Sequence, residues 1–465
     1  MKLMKKLKDK KGLEIQEDVW IDSRYKRLYT KSDYKNLNSL FFKAVDTVNP
    51  NNLTLPDLPI DKAFSGVGYK LFEIDGAAAG NALTLTPYPR VNEQRYVASY
   101  YNYVRRGTPG AGLTMFDEKG DIVKTFGKDG HHFILLSPGD ATIPISSFVD
   151  VQGNLNIYAE SIELVSPYMY QHSYLIRMNH EGVEDVSFGD NGRLNLDELV
   201  KRHFAPRYEE YDDAYCLRAF DNPKGGYYLT CHILHRNTNA FANMIVRLNA
   251  DGTIDETFGA AGGALIPWQD EVSPYRFIQG LAVYGNRLVT LLVDSDDTIE
   301  GLLRAFTLDG KPDLDYGKEG TGVVRPDIFG RRIELFSDGT LGVVGFETTS
   351  EGPDRSIMCT VDKFGVVTSG FEVLDYPSAR TWWGSASLAN RKIYCTGGVG
   401  RSPAMLGCYL ADTKKLDTSF GGKGYGVLRG AVPSMDDSPV LLPTQSLLTV
   451  GRWAEQAAVF AVKTT

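Results

Sequence analysis

A chain of 465 residues with 43% hydrophobic and 23% charged residues has an ordinary soluble, globular composition, and 47 Gly beside 25 Tyr suit many turns and many strands. No stretch approaches the roughly 20 consecutive apolar residues of a membrane-spanning helix, which excludes membrane insertion of that kind. The net charge of −8 is uneven, since residues 1–56 carry +5 and the remainder carries −13, a short basic arm on an acidic body.

The arm comes first. Met1 to Lys11 is basic and is followed by the polar run Gly12 to Asp18, so the apolar core of a secretory signal is missing. The expected location is the cytoplasm, or outside the cell by a route without a classical signal peptide. The first eleven residues lack the interleaved aromatics of a nucleic-acid arm, and the reading is a solvated tail, with no nucleic acid among the expected partners. Tyr34 to Val45 sets Leu37, Leu40, Phe41 and Ala44 on one face of a short helix that would cap the body.

From residue 57 onward the chain is an array. An aromatic residue recurs with Gly six positions before it, Asp three before it, and Gly one and four after it; its copies centre on Phe64, Phe126, Phe188, Phe258, Tyr316, Phe371 and Phe420. Spacings of 62, 62, 70, 58, 55 and 49 residues exceed a helical hairpin and suit a four-stranded unit. The clearest copy runs Phe277–Val283, Arg287–Val293, Leu302–Leu308, the turn Asp309-Gly310, and the strand after Gly320, which are four antiparallel strands A to D with A innermost. His131-His132 opens another D strand. Asp-Gly supplies the positive φ of a tight turn, the later Asp caps that turn's N–H groups, and the aromatic plugs the gap between blades.

After the sixth full unit, Leu447–Trp453 and Ala457–Lys463 are two strands without a following frame. Pro59 to Phe72 carries a frame with nothing before it and matches Lys415 to Leu428. The expected architecture is all-β: a seven-bladed propeller over residues 57–465, of four-stranded antiparallel blades. The N-terminal strand would complete the C-terminal blade and remove the open edge of the array.

Cys216, Cys231, Cys359, Cys395 and Cys408 sit in strand-like runs and read as reduced core thiols. No C-x-x-C pair or His-rich tract proposes zinc, and alternating Asn249, Asp251 and Asp255 lack the bidentate carboxylate of a calcium loop, so neither metal nor cofactor is expected. There is no G-x-S-x-G elbow, phosphate-cradling loop or H-E-x-x-H.

In a propeller the D-to-A and B-to-C connections share one face, and here they vary from Ser137–Ala141 to the long loop Leu196–Asp213. They gather Tyr101, Tyr103, Arg105, Tyr168, Tyr170, His203, Arg207, Trp268, Tyr275, Arg331, Arg380, Trp382, Trp383 and Trp453, the candidate ligand-binding residues. Flat aromatic faces and planar guanidinium groups suit sugars or protein side chains. The frame resembles the bacterial delta-60 repeats over residues 57–465. The match is strong around Phe126, Phe188, Phe258, Tyr316 and Phe420 and weak around Phe371, where Glu372 and Asp375 replace two glycines. The resemblance implies a bacterial propeller, often part of a large surface or secreted protein, and carries over no catalytic residue. The functional expectation is a non-enzymatic recognition or scaffold module that binds a protein or glycan through this face. The alternatives are a propeller hydrolase or lyase with a pocket of His203, Arg207 and nearby acids at the channel mouth, and a subunit of a bacterial toxin or injection assembly.

Overall fold

The computed structural model describes residues 55–465, apart from short stretches that include 103–109, 164–170, 207–210, 267–276, 294–300 and 348–352, and, before them, the backbone of three strands. Those three, Leu3–Lys8, Glu14–Ile21 and Leu28–Thr30, form an antiparallel meander, which the sequence reading did not anticipate. The helix expected at 34–45 lies outside the described residues.

The body is a seven-bladed propeller. Blade 1 is Ala77–Arg90, Glu93–Asn102, Gly110–Asp117 and His131–Ile134; blade 2 is Asp140–Val149, Leu155–Glu163, Gln171–Met178 and Arg193–Asn195. Blade 3 is Tyr211–Asp221, Tyr227–His235, Phe241–Leu248 and Gly263–Ile266; blade 4 is Phe277–Tyr284, Arg287–Val293, Leu302–Thr307 and Val323–Val324. Blade 5 is Phe329–Leu335, Leu341–Glu347, Arg355–Val361 and Val367–Thr368; blade 6 is Thr381–Ala389, Lys392–Val399, Ala404–Leu410 and Tyr425–Leu428. Blade 7 joins Ala431–Pro433, Val440–Leu441, Ser446–Trp453 and Gln456–Lys463 to Tyr69–Leu71 from the start of the body.

The core is not central. A hydrophobic cluster lies at each of the seven blade junctions, so a middle strand is buried on both faces. That is why Arg287–Val293 reads as a continuous apolar run instead of alternating. The innermost strands carry β-bulges, for example between Gly330 and Arg332 and between Trp383 and Ser385, which bend them around the axis.

The repeated frame is the clasp between blades. Gly182, Gly252 and Gly310 lie in the left-handed region, and a Cβ on each would come within 3.0 Å of the preceding blade, against Phe126, Phe188 and Gly259 beside Phe258. The N–H after the aromatic donates to the next blade's turn carbonyl: Gly127 to Glu181 at 2.6 Å, Gly259 to Asp309 at 2.7 Å, Gly317 to Phe364 at 2.8 Å. The frame Asp caps its own turn, as Asp255 Oδ1 accepts the Thr257 N–H at 3.0 Å.

It does one thing more. Asp255 Oδ2 accepts from Arg247 Nε at 2.8 Å, and Arg247 lies over the Phe258 ring at 5.0 Å and donates to Leu308 O of blade 4 at 2.7 Å. Arg177 repeats this with Asp185, Phe188 and Ala250, and Arg287 with Asp313, Tyr316 and Lys363. Burial pushes the Asp255 carboxyl up, but the Thr257 hydrogen bonds and the Arg247 charge outweigh it and hold the group below its usual range.

Closure follows the expected route with one addition. Tyr69, Lys70 and Leu71 pair with Phe460, Val459 and Ala458. Strands C and D of blade 7 are not consecutive in sequence, so no C-to-D hairpin turn is available to cover the Phe420 frame. Leu58 covers it instead: a Cβ on Gly421 or Gly426 would come within 2.8 or 2.7 Å of its side chain. Pro56 O accepts from Val427 N, Leu58 N donates to Val427 O, and Asp57 pairs with Arg429 at 2.5 Å. Leu55 is buried between blades 5 and 6, so the ring's contacts reach at least two residues before 57.

The segment read as a long loop after Leu196 contains a helix, Leu196–Phe204. Asn195 Oδ1 caps it by accepting the Glu198 N–H at 3.1 Å, and Leu196, Val200 and Phe204, spaced by four, form its buried stripe.

Candidate functional site

Connections of uneven length leave one face of the ring, and short turns such as Asp150–Asn154 and Tyr284–Arg287 form the other. On the uneven face, blades 5 and 6 carry a continuous aromatic and arginine patch. Phe329 and Phe346 are cross-strand partners at the ends of their strands and stack with centroids 4.6 Å apart. Arg331 is the extra residue of the bulge in that strand, and its guanidinium lies 5.6 Å from the Phe329 centroid and 5.4 Å from that of Phe346. Beside them Glu347 pairs with Arg355.

Asp354 carries the patch across the junction. Its carbonyl accepts the Thr381 N–H at 2.9 Å, and its carboxylate lies 3.7 Å from Arg380 Nε. Trp382 follows, half-buried, its ring flat on the neighbouring strand, where a Cβ on Gly398 would come within 2.6 Å of it. Among the described residues, three arginines against two carboxylates give this patch a positive balance on an acidic ring, and each of these cations is held beside a flat aromatic or a carboxylate.

Of the residues proposed from sequence, the structure brings together Arg331, Arg380 and Trp382. Trp383 is corrected: the bulge at Gly384 sets it into the core between blades 5 and 6, fully buried, with Nε1 donating to the Tyr409 hydroxyl at 3.2 Å. Adjacent residues on a strand point to opposite sides, so the Trp-Trp pair was never one surface. Trp453 stacks on Tyr69 at 5.7 Å and packs on Phe460, within the cluster between blades 6 and 7. Tyr101 ends a strand of blade 1, half-buried and distant in ring order.

His203 sits on the helix, with Nε2 2.7 Å from Ala261 O and Nδ1 3.9 Å from Glu256. Both neighbours belong to the approach to an outermost strand, so His203 is at the rim and not at the channel mouth. Tyr103, Arg105, Tyr168, Tyr170, Arg207, Trp268 and Tyr275 lie outside the described residues. Sequence reading missed Phe329 and Phe346; the i, i+2 spacing of Phe329 and Arg331 on one strand was the available signal.

A cavity of about 330 Å³ occupies the channel, lined by the innermost strands at Thr84, Ser147, Arg332, Ser387 and Val440. It lies toward the short-turn end, away from the patch, because its lining includes Leu388 and Ala389, the last residues of their strand. Most of its polar groups bind one another, although the Ser146 hydroxyl on its wall is buried without a hydrogen-bond partner among the described residues. Glu334 Oε1 accepts from Arg332 Nε and Ser438 Oγ, both at 2.6 Å, Ser387 Oγ donates to Pro439 O, and Thr84 shares a hydrogen bond with Ser147. These links tie blades together, so the cavity is a by-product of closure and the patch is the stronger candidate.

No protein-family model matches this chain, and no curated protein is similar to it in sequence. Solved structures are similar in fold. Trypanosoma rangeli sialidase with the inhibitor DANA is 8% identical with a TM-score of 0.41, over 77% of this chain and 59% of the sialidase. The β-propeller domain of the Trilobed protease from Pyrococcus furiosus is 10% identical with a TM-score of 0.39, over 83% and 96%. An ulvan lyase of a polysaccharide lyase family is 9% identical with a TM-score of 0.45, over 86% and 96%. This chain thus spans a little over half of the sialidase.

Proposed function

We propose that this propeller is a recognition module, of the delta-60 repeat type, that binds a protein or glycan through its uneven face. The observation that supports this best is Arg331 held against Phe329 and Phe346, next to Arg380 and Trp382. A half-buried aromatic with a pre-oriented guanidinium offers a flat apolar surface and a planar donor pair, and both are bound at low entropic cost because neighbouring groups already fix them. The positive balance of the patch favours a ligand bearing carboxylates, either acidic side chains or acidic sugars. The mouth pocket on which the hydrolase or lyase reading rested lacks its histidine, since His203 faces the rim.

The test uses the intact chain and the variants Trp382→Ala and Arg331→Ala on an array of neutral and acidic glycans, with a parallel capture from bacterial lysate. Binding that falls at least about tenfold in both variants, with unchanged melting, supports the reading; a tenfold loss corresponds to about 1.4 kcal/mol. Binding retained by both variants removes the patch from the site.

A further inference from the structure

We infer that Cys216 and Cys231 are a modification site: they form a disulfide that locks the innermost strand of blade 3 to its neighbour when the chain folds in an oxidising medium.

The geometry selects this pair among the five cysteines. Cys216 and Cys231 stand directly opposite in antiparallel register, with Sγ atoms 3.2 Å apart. Opposed residues of adjacent antiparallel strands have Cα atoms about 4.5–5.5 Å apart, inside the range a disulfide spans, and a bond of about 2.05 Å needs the sulfurs to approach by only about 1 Å. Both side chains lie in the one cluster between blades 2 and 3. The remaining three cannot pair in this way. Cys395 stands opposite Gly407 and Cys408 opposite Tyr394, so they project to opposite faces of blade 6 and into different clusters. Cys359 belongs to the cluster between blades 4 and 5.

The Cys216 backbone is also clamped. Its N–H donates to Asp197 Oδ1 of the helix at 2.7 Å, and its carbonyl accepts from the Tyr158 and Ser173 hydroxyls, each at 2.9 Å. A clamped strand with a facing thiol is pre-set for bonding. The ladder slips by one residue between Cys216 and Arg218, and the added local twist suits the out-of-plane geometry of the bridge.

The step is an exchange. One thiolate attacks a small-molecule disulfide such as oxidised glutathione, breaking its S–S bond and releasing one glutathione thiolate. The second cysteine thiolate attacks the mixed disulfide and releases the other. Two protein thiols lose two protons and two electrons, and one glutathione disulfide becomes two glutathione thiols. In the closed ring both sulfurs are nearly inaccessible, and burial, with Cys231 and Asp197 beside it, pushes the Cys216 thiol well up. Exchange therefore belongs to folding, and the bond, once enclosed, resists reductant until the blade opens.

The full chain is unfolded in guanidinium, reduced, and refolded either in an oxidising glutathione buffer or in excess phosphine reductant, then alkylated under denaturing conditions and weighed. The expected oxidised product takes three alkyl groups, on Cys359, Cys395 and Cys408, and yields one linked peptide pair containing Cys216 and Cys231. Because the bridge closes a loop of 15 residues' separation, its melting midpoint rises by about 3 °C over the reduced form. The Cys231→Ala variant takes four alkyl groups in both buffers and loses the difference. Five alkyl groups in both buffers, a different pairing, or a bridged form that melts no higher overturns the inference. Should refolding fail, the same mass analysis on chain exported to the periplasm decides between the same outcomes.

Discussion

The clasp between blades makes a controlled prediction, because two glycines share a backbone angle and differ in what surrounds them. Gly153 and Gly310 both have φ of +84°, but nothing lies within 4 Å of a Cβ built on Gly153, while one on Gly310 would meet Gly259 N at 2.7 Å, Gly259 Cα at 2.9 Å and the Phe258 ring at 3.0 Å. Alanine at either site carries the left-handed penalty of about 1–2 kcal/mol. At Gly310 the contacts are with backbone, which cannot rotate away, so overpacking adds about 1–3 kcal/mol. Separating the blades also weakens the bond from Gly259 N to Asp309 O, adding about 1 kcal/mol. Gly310→Ala is therefore expected to destabilise by about 2–4 kcal/mol more than Gly153→Ala. Urea unfolding of both variants and the parent, followed by tryptophan fluorescence with buried Trp383 as a reporter, measures the difference. Equal losses would mean that the frame glycine serves only its own turn, and the clasp reasoning would fail.

Other consequences are as direct. His232 is buried, and desolvation, only partly offset by its hydrogen bond with Asn243, lowers its pKa to about 4. The unfolded chain, with the ordinary value near 6.5, then binds the proton more readily. Stability is full above that value and falls as pH drops toward 4, by up to about 3 kcal/mol. A His232→Gln variant should show a shallower decline in urea midpoint between pH 7 and pH 4; parallel curves would remove His232 as the cause. Trp383→Ala should cost about 3–5 kcal/mol and Trp382→Ala much less, because only the former opens a cavity between blades; similar melting of the two would contradict the placement. Deleting residues 57–74 should abolish cooperative unfolding by opening blade 7, whereas deleting 1–40 should leave the ring's melting nearly unchanged. Equal tolerance of both deletions, read by calorimetry, would sink the closure account.

What the sequence by itself determined is the ring. A frame of Gly, Asp and aromatic at fixed offsets is a local pattern, because the Gly and the Asp are each demanded by a turn they form with their own neighbours, so it is legible before its contacts across the junction are known. Six such frames and the orphan copy at Phe64 were enough to place Tyr69–Leu71 beside the last strands.

Tertiary structure alone decided everything that depends on which residues face each other. The Arg247–Asp255 clasp escaped notice because its partner carbonyl lies in another blade, although Arg177 and Arg247 stand at the same offset from Phe188 and Phe258. Leu58 was unreadable as a substitute for a missing turn until the turn was seen to be missing. Trp382 and Trp383 are neighbours in sequence and part company in space, one on the patch and one in the core, because strand alternation and a bulge set side-chain direction. The same cross-strand register that stacks Phe329 on Phe346 sets Cys216 against Cys231, and register is a property of pairs of strands that neither strand carries alone.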